Sequence, residues 1–137
     1  MEAMSHVRTM WRDDRASAAQ EIELLDVGLY DDGRGHARTR MQLREHQVNG
    51  HDIAHGGHIF LLADSTFALA CNASGHTTVA SGGDISFVTA GRLGDVLIAE
   101  ASERVTYGRS GITDVTVRRE SDGEVVAEFR GRSRRIG

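Results

Sequence analysis

The chain has 137 residues, a formal net charge of −4, 39% apolar residues and 26% charged ones. That describes one ordered domain, expected over 1–137, with a lean but sufficient core. The acidic balance argues against nucleic-acid binding, no apolar run is long enough to span a bilayer, and a single cysteine, Cys71, excludes an internal disulfide.

The basic residues are all arginine and proline is absent. The opening MEAMSHVRTMWRDDR lacks an apolar signal region, and Asp13 and Asp14 argue against a transit peptide. With the lone thiol suited to a reducing compartment, the expected location is cytoplasmic.

In chain order, the pattern predicts a short helix over about 5–20, with Met10, Ala16 and Ala18 as its apolar contacts. A strand follows around Ile22 to Tyr30, then a turn at Asp31-Asp32-Gly33. Residues 36–44 alternate, with Ala37, Thr39, Met41 and Leu43 on one face and Arg38, Arg40, Gln42 and Arg44 on the other. The loop EHQVNGHDIAHGG leads into an apolar helix from about Gly57 to Ala73, stopped by Asn72 and Gly75. Four strands come after it. They are Thr77 to Val88 with Ile85 and Phe87 on one side, Asp95 to Tyr107 with Val96, Ile98 and Val105 as apolar positions, Ile112 to Arg119, and Glu124 to Ile136 with Val125, Ala127 and Phe129 on one side. Ser121-Asp122-Gly123 reads as a hairpin turn between the last two.

Two strands, a long apolar helix and four more strands imply an α+β fold in which an antiparallel sheet covers the helix. A helix that is apolar nearly all round must be buried nearly all round, and one sheet covers only one side of it. A second copy of the chain is therefore expected against the remainder.

The helix also carries the chemistry. Residues 55–72 read HGGHIFLLADSTFALACN. Between Ile59 and Cys71 only Asp64 is ionisable, and a carboxylate in such surroundings needs a partner, a shifted pKa or a function. The glycine pair Gly56-Gly57 at the helix start leaves backbone N–H groups bare, where a developing negative charge could be held. Carboxylate and N–H donors together are the minimal equipment for hydrolysing an acyl group.

The stretch NGHDIAHGGHIFLLADSTFALACNASG, residues 49–75, resembles the hot-dog-fold thioesterases of the phenylacetate-degradation family, which act on aryl- and acyl-coenzyme A thioesters. SGGDISFVTAG (81–91) and AEFRGRSRRIG (127–137) extend the resemblance, which covers about residues 20–137. It implies a sheet wrapped round one central helix. It also implies roles for Asp64 as the catalytic carboxylate, Gly56 as the N–H donor to the thioester carbonyl, Asn49 as the residue placing carbonyl or water, and His55 as the histidine ahead of the glycines. Homodimers pairing into tetramers are implied, with acyl-coenzyme A as the partner, coenzyme A present only as part of the substrate, and no cofactor, metal, nucleic acid or membrane. Relatives often carry Arg-Pro-Gly where this chain has Thr89-Ala90-Gly91, beside the expected coenzyme A entrance.

Gly56 and Asp64 lie eight residues apart, about 12 Å along a helix. They cannot reach one carbonyl from the same helix, but two helices antiparallel across a two-fold axis would pair Gly56 of one chain with Asp64 of the other.

Each of these residues also has a purely structural reading. Asp64 could be a buried carboxylate satisfied by arginine or helix hydroxyls. Gly56 and Gly57 could mark a tight loop-to-helix junction, and Asn49 could be the turn residue before Gly50. His51, His55 and His58 could bind zinc, although the intervening glycines spoil a regular ligand face. Cys71 reads as a small buried residue. Arg130, Arg132 and Arg134 form either a solvated strand face or a contact for coenzyme A phosphates. Gly57, Ser81, Gly82 and Gly83 are small enough to leave room for a pantetheine arm. A non-catalytic acyl-coenzyme A binding module and a hot-dog hydratase or dehydratase are the rival functions; the latter needs a second acid–base group that the helix does not display.

Overall fold

Alternation along Gly35–Gln42 (β2) sets the inner face of the sheet: Ala37, Thr39 and Met41 are buried while Arg38, Arg40 and Gln42 face outward or are part-exposed. The computed structural model describes residues 2–137. Six strands form one antiparallel sheet: Glu23–Leu29 (β1), β2, Thr78–Phe87 (β3), Val96–Tyr107 (β4), Ser110–Arg119 (β5) and Val125–Arg135 (β6). Their spatial order is β1-β2-β4-β5-β6-β3. The one long helix, Gly56–Asn72 (α3), lies against the inner face, in the hot-dog arrangement expected from the sequence.

Two details of the strands differ from expectation. In β4 the inward positions are Leu97, Ala99, Ala101 and Glu103, while Val96 and Ile98 are only half-buried and Val105 is exposed. Small alanines face the helix because its backbone comes close, and a register shift between Glu103 and Val105 turns the far end of the strand out of phase. In β3, Ile85 packs against the core but Phe87 is exposed.

The N-terminal segment is two helices, Glu2–Arg12 (α1) and Arg15–Ala19 (α2), rather than one. Asp14 adopts an extended conformation and its carboxylate accepts the Ser17 N–H, so a new helix is capped where the first would have continued. The contacts also differ from those expected. Ala16 and Ala18 are exposed, while Val7 and Ser17 are buried and Met4, Met10 and Trp11 pack partly against the core.

Helix α3 is covered from two directions, by the sheet and by α1–α2. Ile59, Leu62, Phe67, Leu69 and Cys71 are buried, and Phe67 meets Phe129 with ring centres 5.7 Å apart. Polar groups on this face are internally satisfied: Thr66 Oγ1 donates to the Leu62 carbonyl at 2.7 Å and lies 2.7 Å from Thr39 Oγ1. What stays open is one stripe, Gly57, Phe60, Leu61, Asp64 and Ala68, at the three- and four-residue spacing of a single helix face.

Gly35 marks the closest approach of strand to helix, since a Cβ there would overlap the Ala70 carbonyl. Backbone cannot yield as a flexible side chain does. Gly35→Ala is expected to destabilise the fold by about 3 kcal/mol through overpacking, read as a lower urea midpoint at unchanged slope.

Candidate active site

Asp64 occupies the middle of the open stripe of α3, half-buried. Its carboxylate has no hydrogen bond or ion pair among the described residues, so the structural reading, a carboxylate satisfied by arginine or helix hydroxyls, is not realised within one chain. Burial pushes its pKa above the ordinary aspartate value, and the nearby negative charge of Asp14 pushes in the same direction. A carboxylate so placed is a better proton acceptor than an exposed one once it ionises.

The segment before α3 is folded back on itself. Val48 and Ala54 form an antiparallel bridge, the Asn49 N–H donates to the Ile53 carbonyl at 2.8 Å, and the His55 N–H donates to the Gln47 carbonyl at 2.9 Å. Asn49 Oδ1 accepts the backbone N–H groups of His51 and Ile53, at 2.9 and 3.2 Å. Its carboxamide oxygen thus holds the turn, and its Nδ2 is the group left for another partner.

His55 is the residue preceding α3, extended at φ −62° and ψ 134°, and its exposed side chain makes no capping bond. Only its backbone fixes the junction. The N–H groups of Gly56 and Gly57, at the first two helical positions, donate to nothing among the described residues. The ring of Phe87 stands against Gly56: an added Cβ would lie 2.7 Å from Phe87 Cζ, whereas Gly57 has nothing within 4 Å. Phe87 was not a sequence candidate. Its apolar, strand-end position carried no signal that it would meet a helix start.

His58 turns into the fold, its Nδ1 2.9 Å from Gln20 Oε1 and its ring edge-on to His46 with centres 6.1 Å apart. Burial, then His46 and His55, push its pKa down, which favours the neutral ring. Among the described residues no three His, Cys, Asp or Glu side chains converge as a metal site.

Ser81, Gly82 and Gly83 sit on β3, an edge strand. Ser81 is exposed at a register shift between Ala80 and Gly82, Gly82 underlies the Arg132 guanidinium, and Gly83 lies against Phe129. The arginines are on the outer face of β6, away from α3. Arg130 is gripped by both oxygens of Asp114, at 2.6 and 2.8 Å, and Arg132 reaches Asp84 at 3.3 Å. Within one chain, then, Asn49, His55, Gly56 and Gly57 gather at one end of α3, Asp64 sits two turns along it, and Ser81–Gly83 lie on the sheet edge.

Residues 51–126 match the thioesterase superfamily. The chain belongs to that superfamily. It is 35% identical to acyl-coenzyme A thioesterase PaaI of Escherichia coli over 136 residues, covering 99% of this chain and 93% of that one. The solved structure of the E. coli PaaI protein, from the phenylacetic acid degradation operon, superimposes with a TM-score of 0.90 at 34% identity, covering 99% of this chain and 94% of that one. A hypothetical thioesterase of Streptococcus pneumoniae, solved with coenzyme A, shares the fold at 22% identity, with a TM-score of 0.83 and coverage of 94% and 96%. The family and the fold read from residues 49–75 are therefore correct.

For this thioesterase the two helix-start glycines make separable demands. Gly57→Ala fills open space at a helical position and is expected to raise stability by about 0.5–1 kcal/mol. Gly56→Ala must displace the Phe87 ring, and is expected to lower hydrolysis at least tenfold while the circular dichroism spectrum stays that of a folded chain.

Proposed function

We propose that this thioesterase hydrolyses aryl- or phenylacetyl-type acyl-coenzyme A to the free acid and coenzyme A, at sites shared between two copies of the chain. One observation carries the reading: among the described residues, Asp64 is an unpartnered, half-buried carboxylate on the one uncovered stripe of α3, two turns from the unpaired N–H groups of Gly56 and Gly57. A second α3 laid antiparallel across a two-fold axis covers that stripe and brings each Asp64 to the partner's Gly56. The exposed apolar edge of β3, with Val79, Phe87 and Val88, lies outside the covered core and is available to the same interface. The assembly is a homodimer or a dimer of dimers, working in the cytoplasm. The nearly full-length likeness to PaaI supports the acyl-coenzyme A substrate, and the phenylacetic acid degradation operon that encodes that protein supports its aryl character.

In this mechanism Asp64 takes a proton from water as the oxygen adds to the thioester carbon. The Gly56 N–H holds the oxyanion, and Asn49 Nδ2 orients carbonyl or water. Collapse of the adduct breaks the C–S bond, and coenzyme A leaves as thiolate, to be protonated. The raised pKa of Asp64 makes it a stronger proton acceptor in this general-base route; direct attack by the carboxylate would instead form an anhydride.

Asp64→Asn is expected to lower thiol release by about 10² to 10⁴-fold in a folded protein. In the wild type the base is protonated below a pKa lying above the usual aspartate value, so kcat/KM falls as pH drops through that raised value. Stability moves the other way. The folded state holds the Asp64 proton more tightly than the unfolded chain, so wild-type stability falls as pH rises from the unfolded value through the folded one. Asp64→Asn lacks this penalty, and thermal melts should show it more stable than wild type at neutral pH, the difference closing in acid.

Sharing of the site is tested by mixing. Asp64→Ala and Asn49→Ala are each expected to be inactive; refolded together, half the dimers are mixed and each holds one intact site. Recovery of about a quarter of wild-type activity is expected. No recovery from fully exchanged subunits would place Asn49 and Asp64 of one chain in one site.

A further inference from the structure

The N-terminal segment is tied to α3 at three points, and the α3 residues involved are His58, Ser65 and Asn72. Seven residues is about two helical turns, so all three lie on one stripe. The segment runs antiparallel along it. Gln20 Oε1 is 2.9 Å from His58 Nδ1, Ser17 Oγ is 2.7 Å from Ser65 Oγ, and His6 Nε2 is 3.0 Å from Asn72 Oδ1. The middle tie is fully interior, with Ser17 1% and Ser65 6% exposed, and it falls one residue from Asp64.

Asp14 completes that tie. Its Oδ1 accepts the Ser17 N–H at 2.9 Å and its Oδ2 accepts the Ser17 hydroxyl at 2.7 Å. An ionised carboxylate only accepts, so the Ser17 hydroxyl points at Asp14 and the Ser65 hydroxyl must point at Ser17. The chain Ser65 to Ser17 to Asp14 therefore pins one carboxylate beside the segment of α3 that carries the other. Asp14 has no ion pair among the described residues, so its charge is not cancelled locally.

Of the other surroundings, α2 itself carries Arg15, exposed and in no ion pair among the described residues, and Arg12 and Asp13 before it form an exposed pair 3.2 Å apart. The buried positions of β2, β4, β5 and β6 that face the helix are apolar, hydroxyl-bearing or glycine, with one exception, Glu103. Glu103 accepts the Gly35 N–H and acts on Cys71, at the far end of α3. The half-buried positions of β3 are Thr78, Gly82 and Ile85, β1 contributes Val27, and α1 contributes Val7 and the partner of Asn72, His6. On α3 itself the other titratable groups are His58 and Cys71.

We propose that Asp14, which touches no reacting atom, is a positioning residue for the reaction: its negative charge acts across the α2–α3 contact on Asp64 and makes that carboxylate a stronger base. The effect of Asp14 on Asp64 has the matching direction, second to burial among its causes. The inference rests on Asp64 being the base of the proposed thioesterase.

Asp14→Asn tests it, because asparagine caps a helix as well as aspartate does, so the charge goes while the cap stays; the Ser17 hydroxyl loses its acceptor too, and Ser17→Ala controls for that loss. Two readouts are taken in the intact protein: the titration of the Asp64 carboxyl by ¹³C NMR, its signal assigned by its loss in Asp64→Asn, and the pH profile of kcat/KM. In Asp14→Asn both are expected to move to lower pH, with a melting temperature no lower than that of Ser17→Ala. Ser17→Ala, which breaks the hydroxyl bridge but keeps the charge, is expected to lower the melting temperature and to leave the Asp64 titration close to wild type. An Asp64 titration unmoved in folded Asp14→Asn overturns the proposal; Asp14→Ser, which also caps, repeats the test if the asparagine variant does not fold. A moved titration in a protein that hydrolyses no thioester supports the coupling and overturns only the thioesterase reading.

Discussion

Everything in this fold answers to one requirement, that a helix without a polar side be kept from water. The sheet covers most of α3 with the inner faces of β2, β4, β5 and β6. Small residues on those strands, Gly35, Ala99, Ala101 and Gly131, let the backbones approach; a Cβ on Gly131 would lie 2.6 Å from the Phe67 ring. The N-terminal helices close a second flank, and their ties to α3 are hydrogen bonds between buried or half-buried side chains as much as apolar contacts. Asn72 shows how strictly polar groups are paired there. Its side chain bonds His6, the Ala68 carbonyl, and both the N–H and the carbonyl of Thr78.

The site is a by-product of the same requirement. A helix buried on two flanks and open on the third exposes there whatever the sequence places on that stripe, and it places an aspartate. Among the described residues the first N–H groups of α3 have no partner, because the preceding loop spends its hydrogen bonds on itself, through Asn49 and His55. The proposed elements of hydrolysis are thus held by packing and turn geometry.

Much of this was legible from the residues. Period-two alternation in β2 and the mostly apolar run of α3 found both elements within a residue or two, and the one acidic residue in α3, Asp64, drew the expectation of a catalytic role. What escaped reading depends on contacts distant in the chain. The inward face of β4 is made of alanines, whose small size reflects an approaching helix rather than weak burial, so the larger Val96, Ile98 and Val105 misled. The break at Asp14 was visible in principle, since an aspartate three residues before a serine is a capping pattern, but a continuous helix fits the same stretch. Phe87 over Gly56 and Ser17 against Ser65 join residues 31 and 48 apart, beyond the reach of any local period.

Cys71 sits 4% exposed between α3 and the sheet, and burial first, then Glu103, push its thiol up to about 12. Such a sulfur is almost entirely protonated at neutral pH, and the thiolate is the form that attacks disulfide reagents or electrophiles. The folded chain is therefore chemically silent toward thiol probes. A reagent added to the reaction would report the sulfur released from a substrate and not the protein's own, and a cysteine introduced anywhere on the surface could be labelled alone.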